Sequence, residues 1–161
     1  MRKYFSVSHL YRNDLQHSEQ MATSTSNISI VVDCGSGCIK AGLNSENSWK
    51  PKSVFPTVVG LTNNLDIRTQ SKRAYVGHDA WAKRQLLGEI TCPIEKGVIT
   101  DFDMMDKIWQ HTFKNELRIK TENFPVLLTE PPQNPLRNRE ITTEMMFEKY
   151  KVPGFHLAVS S

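Results

Sequence analysis

The chain has 161 residues, 39% hydrophobic and 23% charged, which allows one domain with a real core and is ordinary for a globular protein. A net charge of +3, with Lys and Arg scattered, gives no basic stripe or aromatic platform and so no charge-based case for nucleic acid. No stretch approaches the roughly 18 apolar residues of a membrane span, and an odd count of three cysteines does not make a disulfide framework.

Residues 1–27 read as a flexible extension. "MRKYFSVSHLYR" is basic and aromatic, but Asp14 and Glu19 follow, whereas a transit peptide is poor in acids. Met21 opens a polar Ser/Thr run and reads as an original start. From Ile28 the pattern is β. "ISIVVDC" is a short β-branched run, and "CIKAGL", after Gly35-Ser36-Gly37, suits its hairpin partner. "SVFPTVVG" predicts a third strand. Residues 61–74 are polar and read as an exposed loop. "DAWAKRQLL" predicts a short helix capped by Asp79.

Two stronger helices follow. Met105, Ile108, Trp109, Thr112 and Phe113 recur at three- and four-residue spacing, which makes one apolar face. Thr100 and Asp103 resemble a capping box for that helix. "FPVLLTE" is a continuous apolar run of the kind a buried parallel strand requires. Asn134 is positioned to cap the next helix, Pro135 suits its first turn, and Ile141 and Met145 mark its inner face. "PGFHLAVSS" predicts a last strand. The order β-β-β-α-β-α-β implies an α/β layer fold.

The turn after the first strand carries the chemistry. Phosphate needs converging donors and close backbone approach, and glycine removes the Cβ that would block it. Successive N–H groups in a tight turn make an anion nest. Gly35, Ser36 and Gly37 supply such a turn, Ser36 adds a hydroxyl and Lys40 a compact positive charge. Lys40's offset of three from Gly37 leaves its facing open. Asp33 does not favour phosphate directly, but suits a hydrated Mg²⁺, which keeps several waters and takes few carboxylates. On D-x-G-S-G alone an ordinary hairpin is the favoured reading, because glycine turns are common in hairpins. The stretch is neither G-x-G-x-x-G before a helix nor a P-loop. Cys34 and Cys38 flank it, but no second pair of soft ligands accompanies them to hold zinc.

The wider pattern resembles the actin family. "VVDCGSGCIKAGL", "VFPTVVG", "YVG", "CPIEKGVIT", "MDKIWQHTFKNELR", "PVLLTEPPQNPLRNRE" and "MMFEKY" fall in that family's order with similar gaps, from about Val31 onward. The departures suggest a divergent actin-related protein. The resemblance implies the first half of a ribonuclease-H-like, actin-type fold, with residues 28–54 and 97–161 in the large domain and 55–96 in a small inserted subdomain. It implies ATP with Mg as cofactor, gripped by Gly35, Ser36, Gly37 and Lys40, with Asp33 near the metal waters.

The resemblance also has gaps. The family's second phosphate loop, of D-S-G-D-G type, and its adenine pocket have no match here, which implies a truncated or short isoform with an incomplete ATP site. Ser160 stands where the family usually has a glutamine that positions water, so no catalytic residue is assigned. Lys96 stands where actins usually have a modified histidine, and reads as a solvated turn lysine. Leu61, Leu65 and Ile67 are the apolar residues of the loop that docks actin subunits, a poorer plug than the family's. The reading is an actin-related cytoskeletal protein, cytoplasmic and partnered by actin or actin-binding proteins. A non-enzymatic interaction module and a nuclear chromatin subunit are its alternatives, although no basic cluster announces the nucleus. A sugar-kinase-like enzyme is the weakest reading.

Overall fold

The computed structural model describes residues 28–44, 50–66 and 70–160. The expected extension over 1–27, Met21 and Ile67 lie outside the described residues.

Five strands form the main sheet, in the order β10 (Phe155–Val159), β9 (Val126–Glu130), β1 (Ile30–Cys34), β2 (Cys38–Leu43) and β3 (Ser53–Pro56). The β-branched run gives β1 (Ile30–Cys34), which turns antiparallel into β2 (Cys38–Leu43) and on to β3 (Ser53–Pro56). The apolar run gives β9 (Val126–Glu130), parallel to β1 on one side and to β10 (Phe155–Val159) on the other. As expected for a strand inside a parallel arrangement, β9 buries Val126 and Leu128.

Helix α2 (Phe102–Gln110) continues as a wider π-type coil over His111–Leu117. Its expected face holds: Met105, Ile108, Trp109, Thr112 and Phe113 are all buried. Their apolar members join Ile30, Val32, Ile39, Val126 and Leu128 in one core cluster. Burying each large side chain is worth about 1.5–3 kcal/mol, so this single face fixes the helix to the sheet. Helix α3 (Leu136–Glu144) likewise runs on as a π-type coil over Met145–Lys149. Tyr150 then packs edge-on against Phe113 and donates to Asp106 Oδ1 at 2.8 Å.

Residues 59–65, 72–76 and 87–91 build a separate three-stranded sheet, where the sequence predicted less structure. "SVFPTVVG" is two strands in two sheets, because Pro56 ends β3 and the chain re-enters as β4 (Val59–Leu65). Of the loop expected over 61–74, residues 61–65 and 72–74 are strand: β4 pairs with β5 (Lys72–Val76) and with β6 (Leu87–Thr91). Helix α1 is only His78–Ala82, and a 3-10 turn over Arg84–Leu86 leads into β6. Two short strands, β7 (Ile94–Glu95) and β8 (Val98–Ile99), pair with each other.

The predicted caps are corrected. Asp101 caps α2 by accepting from Met104 N at 2.9 Å. Thr100 instead points its hydroxyl at Pro93 O, so no Thr100–Asp103 box forms. Asn134 does not cap α3: Pro135 is the cap residue and the Asn134 amide donates to Glu130 Oε2. Asp79 lies inside α1, whose cap is Gly77 at φ 61°. The inner face of α3 is turned by one residue, with Thr142 and Met146 buried while Ile141 and Met145 are only part-buried.

Candidate functional site

The β1–β2 hairpin aligns Asp33 with Lys40 as direct cross-strand partners. Opposed residues of an antiparallel pair share a face, which settles the facing of Lys40. Its Nζ donates to Asp33 Oδ2 at 2.9 Å, and both side chains stay open to solvent. The other carboxylate oxygen, Oδ1, accepts from Thr129 Oγ1 at 2.8 Å. Thr129 in turn accepts from the Cys34 amide at 3.0 Å, so β9 holds the end of β1 in place. The Lys40 hydrogen bond holds the Asp33 carboxyl below its usual value; partial burial opposes this and Thr129 adds to it. Asp33 in turn raises the Lys40 ammonium above its usual value. Both groups are charged at neutral pH.

The turn is clamped from two further directions. Thr57 donates its hydroxyl to Gly35 O at 2.7 Å and its amide to Gly37 O at 3.2 Å. From the other side Gly97 N donates to Ser36 Oγ at 2.9 Å, and the Cys92 thiol lies 3.3 Å from Ser36 O. Because Ser36 Oγ accepts from Gly97, its own hydroxyl proton is left to point elsewhere. The two turn glycines differ. A Cβ at Gly35 would stand 2.9 Å from Cys38 O, so that glycine is required by the hairpin itself. A Cβ on Gly37 would meet nothing within 4 Å, so its bare Cα faces open space. Neither glycine has a positive φ. Cys34 is a thiol turned inward, and burial pushes it up to about 12, with the Trp109 indole N–H working against that rise.

The arrangement is therefore a rigid turn with an open Cα, a free hydroxyl proton and a lysine beside a carboxylate, set at the carboxyl end of a strand in a mixed sheet. Ligands in open α/β sheets gather at such strand ends. The sequence matches the family model described as Actin over residues 24–161. The chain belongs to the actin family. Actins usually bind ATP with Mg, and the mixed sheet with its flanking helices is consistent with part of the actin-type fold.

The donor set fits that pair of ligands. Ser36 and Lys40 carry protons that a phosphate oxygen accepts, and Gly37 leaves room for it. Each oxygen of Asp33 accepts one hydrogen bond and keeps lone pairs for metal-bound water.

The structure thus brings Asp33, Gly35, Ser36, Gly37 and Lys40 together at one turn of this actin-family chain. Leu61 and Leu65 are elsewhere. Leu61 sits within β4, opposite Ala74 and Glu89, and packs partly on the core, while Leu65 is 56% exposed at the strand end. Ser160 is tied to β9, its amide and hydroxyl both donating to Glu130 O. Lys96 is exposed at φ 50° in the turn between β7 and β8. Sequence reasoning missed Thr57, Thr129, Cys92 and Gly97. A polar residue interrupting an apolar strand, as Thr129 does in "VLLTE", was the one readable signal among them.

Proposed function

We propose that residues 33–40 are the first phosphate turn of an actin-type nucleotide site, and that the 161-residue chain by itself binds Mg-ATP weakly and does not turn it over. The observation that carries this is the Ser36 hydroxyl. It accepts from Gly97 and keeps its proton, beside an open Gly37 Cα and the Lys40 ammonium. Weakness follows from the same geometry. Asp33 already neutralises Lys40, so Lys40 offers a phosphate its full charge only while Asp33 faces another cation. When bound, Mg²⁺ supplies that cation and offsets the charge of the phosphate oxygens. One solvent-exposed turn also lacks the water-excluding closure that strengthens such contacts.

A thermal shift tests this reading. A ligand that binds only the native state stabilises it, by about 1.4 kcal/mol at tenfold above its Kd. For a chain of this size that corresponds to a rise in Tm of roughly 3–5 °C. Millimolar Mg-ATP is expected to produce a rise of this order in the wild type and none in Lys40→Ala. Equal shifts in both proteins would rule out the turn as the site.

In this reading the chain acts with the cytoplasmic actin cytoskeleton, through actin or actin-binding proteins. A second reading, a non-enzymatic interaction module, is favoured by the exposed Leu65, Trp81 and Leu86 in the β4–β6 region. Exposed apolar residues point to a partner where they gather into one patch. Cosedimentation with actin filaments, compared between wild type and Trp81→Ser/Leu86→Ser, separates the two. Loss of binding in the double variant, with no Mg-ATP response in the wild type, supports the module.

A further inference from the structure

Behind the phosphate turn, the ends of β1 and β9 and the loop opening α3 enclose a cavity of about 20 Å³. Its wall includes Cys34, Trp109, Thr129, Glu130, Asn134 and Thr142. Among the described residues, two buried side-chain atoms lack a hydrogen-bond partner, Trp109 Nε1 and Asn134 Oδ1, and both belong to this wall. Trp109 is fully buried. The Asn134 amide is oriented by its nitrogen, which donates to Glu130 Oε2 at 3.0 Å and leaves the oxygen over. Cys34 also lines the space and its thiol feels the indole N–H, but sulfur is a weak acceptor and does not satisfy that donor.

We infer that one buried water molecule occupies this cavity, accepting from Trp109 Nε1 and donating to Asn134 Oδ1. The two atoms define the occupant chemically. An indole N–H only donates and an amide oxygen only accepts, so the occupant must do both. A cation is disfavoured by the N–H, and an anion by the amide oxygen and the Glu130 carboxylate. A water site needs at least about 10–15 Å³ and two to four polar partners. This cavity meets the first condition with room for one molecule. The two orphaned atoms meet the second, and Thr142 and Glu130 are further polar residues of the wall. The water ties α2 to the loop that opens α3, against the back of the strand that carries Asp33.

A high-resolution crystal structure of the full chain tests it. The expected result is one density peak within hydrogen-bond distance of both Trp109 Nε1 and Asn134 Oδ1. An empty cavity would overturn the inference, as would an Asn134 turned to meet the indole directly. In solution, indole ¹⁵N labelling gives one N–H signal for each of three tryptophans, and Trp109→Phe assigns the relevant one. A cross-relaxation peak between that proton and long-lived water is expected; its absence would count against the site.

Discussion

Lys40 and Asp33 face each other across the β1–β2 hairpin with Nζ 2.9 Å from Oδ2, and this pair shapes how the turn responds to pH. Asp33 is held below the ordinary 3.8, so its contribution is complete above that value and is lost as pH falls through the lowered folded value. Lys40 is raised above the ordinary 10.5, so its contribution is complete below that value and is lost as pH rises through the raised one. Denaturant midpoints of wild type and Lys40→Met are therefore expected to differ most between about pH 5 and 9 and to converge at both extremes. A difference independent of pH would show that the lysine acts through packing of its stem.

The two turn glycines should separate stability from binding. Gly35→Ala pushes a Cβ against the Cys38 carbonyl, 2.9 Å away, and is expected to lower stability by about 1–3 kcal/mol. Gly37→Ala meets open space at an ordinary φ, and its stability should stay within about 0.5 kcal/mol of wild type. Its response to Mg-ATP should nevertheless be lost, because the new methyl stands where phosphate approaches. Urea unfolding and thermal shift of the two variants read out both effects.

Cys34 should resist alkylation. With its thiol pushed up to about 12, the thiolate fraction at pH 8 falls roughly 1000-fold relative to an ordinary protein thiol of 9.0. Mass spectrometry after iodoacetamide should find Cys34 unmodified in the folded chain and modified after unfolding in urea. Rapid native labelling at Cys34 would mean that the end of β1 opens readily.

The buried Asp106 depends on Tyr150, which donates to its Oδ1 at 2.8 Å and also reaches its backbone carbonyl. Lys149 and Gln110 both serve Oδ2. Tyr150→Phe leaves Oδ1 unpaired in a buried position and is expected to cost about 1–3 kcal/mol. A variant as stable as wild type would indicate that water replaces the hydroxyl.

Some of this organisation was readable in the sequence. The buried face of α2 followed from the spacing of Met105, Ile108, Trp109 and Phe113, because a helix repeats every 3.6 residues whatever lies around it. β9 was visible because both its faces are sheltered and Val126, Leu127 and Leu128 make a continuous apolar run. The small sheet was not visible. Thr62, Asn63 and Asn64 of β4 and Lys72 and Arg73 of β5 are polar, and backbone hydrogen bonds between strands, not side-chain alternation, make them sheet. Caps failed by one or two residues because short side chains had competing partners, as Asn134 has in Glu130. The turn itself was legible in its glycines, Ser36 and Asp33. Its clamps were not, since Thr129 and Gly97 reach it from 96 and 61 positions away in the chain.

In the proposed site the turn after β1 receives the phosphates. Backbone amide NMR of the ¹⁵N-labelled chain, titrated with Mg-ATP into the millimolar range, tests it most directly. Shift changes should concentrate at Ser36, Gly37, Lys40 and Gly97, and should be absent in Lys40→Ala. Changes confined to the β4–β6 sheet, or no change at the turn at any ATP concentration reached, would contradict it.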